Sequence, residues 1–130
     1  MIAADTSTWI AFLEGNPGKD TQLLDKALQD RHVLMVPAVL TELLSDPRLP
    51  SQVAEALCEV PMVEINPGYW HRAGVLRSKV LAMRRKARLG DALIAQCCID
   101  RDVVLLTRDR DFRAFADAAG LDMVLASETR

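Results

Sequence analysis

The chemistry that this sequence supports most directly is that of a metal ion held by carboxylates. Four acidic residues stand where a folded chain could bring them together: Asp5, Glu42, Asp91 and Asp109. Carboxylates held close together repel one another, and a bound cation compensates for that repulsion. Ligand sets made only of oxygen select hard ions such as Mg²⁺ or Mn²⁺, which also accept phosphate oxygens. Such an ion can orient and acidify a water molecule that attacks a phosphodiester bond, so no nucleophilic side chain is needed.

Short apolar segments predict the strands that would position two of these acids. They lie at residues 1–4, 33–36, 62–65, 103–106 and 123–126, and they alternate with segments of helical periodicity. This alternation indicates the α/β class, with a mostly parallel sheet covered by helices on both faces. Ligands of such sheets bind beyond the carboxyl ends of the strands. Asp5 directly follows the first predicted strand and Asp109 follows the fourth after two residues, so both should face this crevice.

The other two acids lie on predicted helices. Asp91 opens one helix, where free backbone N–H groups favour a carboxylate. Glu42 lies one turn into a helix predicted at 38–45 and off its apolar stripe, so it faces either the crevice or solvent. Further helices are predicted after Asp5, from about Asp20, at 52–58, at 69–87 and at 112–119.

Each acid also has a simpler interpretation when it is taken alone. Asp5 and Asp91 fit as helix caps, and Glu42 fits as a solvated surface residue. Asp109 and Asp111 fit as the residues of a turn before the last predicted helix. Because all four acids occupy positions expected for one crevice, we favour a shared site.

A basic segment precedes the helix that Asp91 opens. Residues 65–90 contain no acid, whereas they hold seven of the chain's 16 lysines and arginines. We predict that five of these cations contact the phosphates of a polyanion such as RNA: Arg77, Arg84, Arg85, Lys86 and Arg88. Arginine is well suited to fork-like phosphate contacts. A solvated helix face remains the alternative, since most of these residues fall on the helix predicted at 69–87.

Length and composition set the remaining bounds. The 130 residues, half of them hydrophobic, fit a single domain that spans 1–130. No apolar stretch approaches the roughly 18 residues that a membrane span requires, and signal-peptide features are absent, so we expect a cytoplasmic protein. The three cysteines lack the paired spacing of a zinc site. A net charge of −2 does not by itself indicate a nucleic-acid binder, so the location of the basic residues matters more.

Four segments of the chain together resemble the motifs of PIN domains. They are IAADTSTWIAFLEG at the N-terminus, PAVLTELL around Glu42, ARLGDALIAQ around Asp91 and VVLLTRDRDF around Asp109. Within that superfamily, the chain is most similar in length to the VapC toxins of bacterial VapBC toxin–antitoxin pairs. The resemblance implies an α/β/α sandwich with a central, mostly parallel sheet, and an endoribonuclease that depends on Mg²⁺ or Mn²⁺. It also implies a homodimer and inhibition by a small VapB antitoxin.

The resemblance assigns roles to individual residues of this sequence. It implies metal-binding and catalytic roles for Asp5, Glu42, Asp91 and Asp109. The fourth acidic position is the more variable one in the family, and Asp111 is its alternative occupant, although we favour Asp109. Thr6 and Thr107 would support the acids through hydroxyl contacts. No acid of the set is missing, so the motifs resemble those of an active nuclease.

Two other classes of protein remain as alternatives. A phosphoryl-transfer protein of the receiver or phosphatase type also places an acidic pocket at the end of a parallel sheet. A receiver would need a lysine near the late strands, but the last lysine of this chain is Lys86. An aspartyl-nucleophile phosphatase would need a second aspartate at the position of Ser7. A non-catalytic PIN-like module that binds RNA or protein also stays open, because a sequence cannot show that metal is bound.

Overall fold

The computed structural model describes residues 1–126, and its centre is a parallel sheet of three strands. The strands are β1 (Ile2–Ala4), β2 (Val104–Thr107) and β3 (Met123–Leu125), in the order β1–β2–β3. Ala4 of β1 pairs with Leu106, and Leu106 pairs in turn with Val124 of β3. The carboxyl ends of β1 and β2 therefore lie side by side, which brings the residues after these two strands together.

Seven α-helices surround the sheet within the described residues. They are α1 (Thr6–Leu13), α2 (Lys19–Gln29), α3 (Pro37–Leu44), α4 (Ser51–Glu59), α5 (Tyr69–Ala82), α6 (Leu89–Arg101) and α7 (Arg113–Ala119). A single 3₁₀ turn, Arg110–Phe112, leads into α7. Leu105 and Leu106 are both fully buried, although neighbouring residues of a strand point to opposite faces. Helices thus cover both faces of the sheet, and the predicted α/β/α sandwich is confirmed.

Two of the five predicted strands are much shorter in the structure than the sequence indicates. The segment 33–36 takes part in two isolated parallel bridges, Val33 with Ile2 and Met35 with Met62, and the segment 62–65 takes part in the second of them. Pro37 begins α3, which ends the first segment, and Pro61 lacks the N–H that a longer ladder would use. The two segments extend the sheet by isolated bridges only, and the short strands predicted there were wrong in extent.

The long helix predicted at 69–87 is also wrong in extent, because it ends with α5 at residue 82. Arg84 takes a left-handed conformation, with φ of 58°, and the N–H of Arg85 donates to the carbonyl of Val80 (3.4 Å). A left-handed residue just beyond the last turn commonly closes a helix, and it is most often glycine. Residues 83–88 therefore form a loop before α6, and most of the predicted basic residues lie on this loop instead of on a helix face.

Local sequence explains where the first helix begins and where the last helix ends. Asp5 caps α1, because its carboxylate accepts a hydrogen bond from the N–H of Thr8 (3.0 Å). Gly120 ends α7 in the left-handed region, with φ of 73°, as the sequence predicts.

None of the described helices combines the length and hydropathy that a membrane crossing needs.

Candidate metal centre

Asp5 lies directly beyond β1, and its carboxylate is almost completely used by hydrogen bonds. Oδ1 accepts from the hydroxyl of Ser7 (2.7 Å) and the N–H of Thr8 (3.0 Å), while Oδ2 accepts from the hydroxyl of Thr107 (2.7 Å). The residue is only 4% exposed, and its own N–H donates to the carbonyl of Leu106 (3.0 Å). Asp5 therefore joins the ends of β1 and β2 and is held rigidly.

Burial is the largest influence on the pKa of Asp5. Loss of solvent raises the pKa of its carboxyl above the usual range, and the negative charge of Asp109 adds to that rise. Hydrogen bonds from Ser7, Thr107 and the Thr8 N–H offset only part of the effect. Such a group becomes easier to ionise when a cation lies beside it.

Asp91 is the least satisfied acid of the site. It lies in the first turn of α6, and its buried Oδ2 has no hydrogen-bond partner among the described residues. Burial raises its pKa to about 6, and the negative charge of Asp109 is the next cause. Asp5 and Glu42 raise it further, whereas Arg88 lowers it. The charges of the other three predicted acids thus all act on Asp91.

Asp109 and Asp111 both approach Asp91. One carboxylate oxygen from each of these three residues lies within 4.8 Å of the others. Asp109 caps the short 3₁₀ turn, since its Oδ1 accepts from the N–H of Asp111 (2.9 Å), and its own N–H donates to the hydroxyl of Thr107 (2.9 Å). The structure thus places both acids of the TRDRDF segment beside Asp91, with Asp109 also close enough to act on Asp5.

Glu42 lies at the margin of this arrangement. It is exposed on α3, and its Oε1 accepts a hydrogen bond from the hydroxyl of Thr6 (2.6 Å). It lies outside the three-carboxylate cluster of Asp91, Asp109 and Asp111, although its charge raises the pKa of Asp91. A β-carbon placed on Gly90 would stand 3.7 Å from Glu42 Oε2, so this acid lies against the start of α6.

The two predicted threonines contact the acids in different ways. Among the described residues, the hydroxyl of Thr6 has Glu42 as its partner, at the exposed edge. Thr107 is fully buried, and its single hydroxyl donates to Asp5 and accepts from the N–H of Asp109. It therefore couples the acid after β1 to the acid after β2.

A buried ion pair beside the site was not found from the sequence. The guanidinium of Arg108 binds Asp20 through two bonds, Nε to Oδ2 (2.8 Å) and Nη2 to Oδ1 (3.0 Å). Thr8 also donates to Asp20 (2.8 Å), whose side chain is fully buried. Burial opposes ionisation of Asp20, but the hydrogen bonds from Arg108 and Thr8 lower its pKa below the usual value.

This ion pair ties the loop after β2 to the start of α2. The N–H of Arg108 also donates to the hydroxyl of Ser7 (3.1 Å), which itself binds Asp5. Since 88 residues separate Arg108 from Asp20, no local pattern connects them. Arg108 lies between Thr107 and Asp109 in sequence, so the pair fixes the backbone that carries both.

The predicted basic residues divide into two groups in the structure. Arg77 and Arg85 hold the loop 83–88 in place: Arg77 Nε donates to the carbonyl of Ala87 (2.8 Å), and Arg85 pairs with Asp117 of α7 (2.6 Å). They therefore have structural partners, which the sequence did not indicate.

The other group consists of Lys86 and Arg88, which lie close to the acids of the site, and of Arg84. Lys86 pairs with Asp111 (3.5 Å), and the charge of Arg88 lowers the pKa of Asp91. Arg84 is exposed, and among residues 1–126 it forms no ion pair. Of the five predicted cations, Lys86 and Arg88 are thus the two that act directly on the acids of the site.

The site fits a divalent cation of the hard, oxygen-binding kind. Three carboxylates converge, the buried Oδ2 of Asp91 has no hydrogen-bond partner within residues 1–126, and the pKa of Asp91 is raised to about 6. A carboxylate left in this condition is destabilised when ionised, and a cation beside it reverses that effect. Mg²⁺ and Mn²⁺ are the ions that such an oxygen set selects.

Sequence comparison gives one clear relationship. A family model described as PIN domain matches residues 2–118. No curated protein sequence matches the chain significantly. The matched region contains every acid of the cluster and the loop 83–88.

Solved structures share the fold at low sequence identity. The chain is similar to VapBC2 from Rickettsia felis bound to a DNA fragment from its promoter, with 18% identity, a TM-score of 0.74, and coverage of 96% of this chain and 98% of that one. It is also similar to FitAcB from Neisseria gonorrhoeae (18% identity, TM-score 0.74, coverage 99% and 100%). A third is VapBC-5 from Mycobacterium tuberculosis (21% identity, TM-score 0.67, coverage 95% and 97%). Likeness at these identities is a likeness of fold.

Proposed function

Because the chain belongs to the PIN domain family, we propose that it is an endoribonuclease that depends on Mg²⁺ or Mn²⁺ and acts as the toxin of a VapBC-type toxin–antitoxin pair. A fold does not determine a reaction, so the proposal depends on the site itself. The observation that carries it is the buried Oδ2 of Asp91, which has no partner in the described part of the chain, in a carboxylate that has an oxygen within 4.8 Å of oxygens from Asp109 and Asp111. Such an oxygen is costly to bury unless a ligand satisfies it.

The residues of the site would have different roles in the proposed reaction. Asp91 and Asp109 would hold the ion, Asp5 and Glu42 would add negative charge beside it, and Asp111 lies next to both Asp91 and Asp109. A bound Mg²⁺ or Mn²⁺ would orient and acidify the attacking water and offset the charge that develops on the phosphate. The three hydrogen bonds to Asp5 and the hydroxyl of Thr107 keep the carboxylates in place.

RNA is the proposed substrate because cations surround the approach to the acids. Lys86 and Arg88 stand beside the carboxylates, and Arg84 is exposed on the same loop. Phosphate backbones bind to such groups with release of counterions, independently of base sequence. Arg77 and Arg85 support this surface by fixing the loop.

The proposed protein partners are a VapB-type antitoxin and a second copy of this chain. The solved structures named above include VapBC assemblies, and this fold resembles them. The chain offers an apolar groove between α1, α2 and α4 that could receive an antitoxin segment. Its lining includes Trp9, Phe12, Leu28, Val53 and Leu57.

An exposed apolar surface near Glu42 suits a second copy of the chain, and it is formed by Ile65, Trp70 and Leu89. A toxin directed at RNA would act in the cytoplasm.

Cleavage of structured RNAs by wild-type protein and by Asp91→Asn tests the proposed function. The substitution keeps the shape of the side chain but removes the charge that holds the ion. We expect wild type to cleave only with Mg²⁺ or Mn²⁺ and to stop in EDTA, and Asp91→Asn to be at least about 100-fold slower. Gel analysis of end-labelled RNA measures both rates.

Asp25→Asn is the matched control for this experiment. Asp25 is an exposed acid of α2 whose carboxylate binds Gln29 of the same helix, so the variant changes the charge equally and leaves the site intact. It should cleave at the wild-type rate. Equal cleavage by wild type and Asp91→Asn would contradict the proposal and indicate a contaminating nuclease, and binding without cleavage by wild type would favour the non-catalytic module.

A further inference from the structure

The residues on both sides of Lys86 are held in position by contacts outside the acidic cluster of Asp91, Asp109 and Asp111. The residue before it, Arg85, pairs with Asp117 of α7 at 2.6 Å. The residue after it, Ala87, is buried, and its carbonyl accepts a hydrogen bond from Arg77 Nε at 2.8 Å. The backbone at Lys86 is therefore fixed between two anchors, and less freedom is lost when its side chain binds than for an untethered lysine.

From this position Lys86 contacts Asp111, one of the three acids of the cluster. Its Nζ lies 3.5 Å from Oδ2 of Asp111, and the side chain remains 54% exposed. The Asp111 carboxylate is one of the three whose oxygens lie within 4.8 Å of one another. The acidic cluster thus already contains one cation at its Asp111 edge, whereas the Oδ2 of Asp91 has no partner among the described residues.

We propose that the Lys86 ammonium takes the place of a second divalent ion at Asp111, so that each chain binds a single divalent ion. This inference rests on the proposed function, since it concerns the same acids. Paired-metal nucleases place two ions about 3.5–4 Å apart with carboxylates between them. A second ion bound to Asp111 would have to share that carboxylate with the ammonium, and like charges at such distances repel.

The arrangement also gives Lys86 a role in the proposed reaction. In a two-ion site the second metal supplies positive charge beside the phosphate. Here a tethered ammonium supplies that charge from the chain itself. Asp111 then serves to orient Lys86, which explains why both acids of the TRDRDF segment approach Asp91 although only one is needed to hold the ion.

Counting bound Mn²⁺ on the whole chain tests this inference without an activity assay. Calorimetric titration, with electron paramagnetic resonance of free Mn²⁺ as a second count, should give one ion for wild type. Lys86→Gln should bind two ions, because Asp111 becomes available. The double variant Lys86→Gln/Asp111→Asn should return to one ion, and Lys86→Arg should keep one.

The control is a lysine with an aspartate partner elsewhere on the surface. Lys26 pairs with Asp30 across one turn of α2 (3.8 Å), so Lys26→Gln removes the same charge without reaching the acids and should bind one ion. Two ions in wild type, one ion in Lys86→Gln, or two in the double variant would each overturn the inference. If wild type binds no Mn²⁺ at all, the metal-dependent function itself fails, and the one-ion site fails with it.

Discussion

At the scale of single residues, Asp91 shows how the needs of folding and of metal binding conflict. Its side chain is partly buried, one oxygen has no partner among residues 1–126, and three other acids repel its charge. Each of these features disfavours the ionised form in the metal-free protein. The same features favour capture of a cation, because the ion removes the repulsion and satisfies the oxygen. Asp91 therefore lowers the stability of the empty fold in exchange for affinity.

The raised pKa of Asp91 predicts that Asp91→Asn stabilises the metal-free protein at neutral pH. The pKa rises from an ordinary value near 3.8 to about 6. The folded state thus holds this proton more tightly than the unfolded state, so the contribution of Asp91 to stability is greatest below about pH 4 and is lost as the pH rises through 6. At about 1.4 kcal/mol per pKa unit, Asn should raise the free energy of unfolding at pH 7 by about 1–3 kcal/mol. Urea unfolding in EDTA measures it.

Two comparisons show whether the cause is ionisation. The advantage of Asp91→Asn over wild type should shrink at pH 4, where Asp91 is largely protonated in the fold, and saturating Mn²⁺ should stabilise wild type but not the variant. Asp25→Asn, on the exposed surface of α2, should have the stability of wild type at both pH values and should be stabilised by Mn²⁺ as wild type is. A variant less stable than wild type at pH 7 in EDTA would mean that Asp91 supports the fold instead of straining it.

At the scale of secondary-structure elements, the end of α5 decides where the basic residues lie. The apolar stripe from Tyr69 to Ala87 continues without a break, and nothing in the sequence signals an end because the left-handed position is occupied by Arg84 and not by glycine. The same geometry recurs after α2, where Arg31 has φ of 57° and the next N–H, that of His32, donates to the carbonyl of Ala27 (2.8 Å). Both turns carry strain that a glycine would not.

Arg84→Gly is therefore expected to stabilise the fold. A side chain in the left-handed region costs roughly 1–2 kcal/mol, and the greater freedom of glycine in the unfolded chain offsets part of the gain. The net increase in the free energy of unfolding should be about 0.5–1 kcal/mol, measured by urea unfolding. Arg84→Ala keeps the β-carbon and should show no such gain.

The matched control is Arg31→Gly, at the equivalent position beyond α2. It should stabilise the fold by a similar amount, because the backbone conformation is the same. If Arg84→Gly destabilises the protein while Arg31→Gly stabilises it, then the Arg84 side chain contributes contacts that outweigh its strain.

These elements also show what the sequence can and cannot predict. The positions of Asp5 and Asp109 follow from two neighbouring parallel strands, and their placement beyond β1 and β2 needed only the apolar pattern. The strands at 33–36 and 62–65 are shortened by prolines whose effect depends on what each segment pairs with. The bond between Thr6 and Glu42 spans 36 residues, and that between Arg108 and Asp20 spans 88. Contacts at such separations come from the packing of helices on the sheet, which local periodicity does not encode.

At the scale of the whole molecule, the charges are arranged so that a net negative chain still presents a positive approach to its acidic site. The net charge is −2, yet Lys86 and Arg88 stand beside the carboxylates and Arg84 lies exposed on the same loop. Arg77 and Arg85 are engaged with Ala87 and Asp117. The loop 83–88 therefore divides into anchors and free cations, and only the free cations should register in the salt dependence of RNA binding.

Replacing the two freest cations should accordingly weaken RNA binding and change its dependence on salt. Binding is measured in EDTA, so that the RNA stays intact. Arg84→Ala/Arg88→Ala should bind structured RNA more weakly than wild type. Because each phosphate contact contributes about one to the slope of log K against log salt, that slope should become shallower by about one to two. Filter binding between low and physiological salt measures the slope. Lys26→Ala/Arg31→Ala removes the same charge at α2, away from the acids, and should leave the slope unchanged. An equal change in both double variants would mean that RNA responds to overall charge, and an unchanged slope in the first would mean that the loop is only a solvated surface.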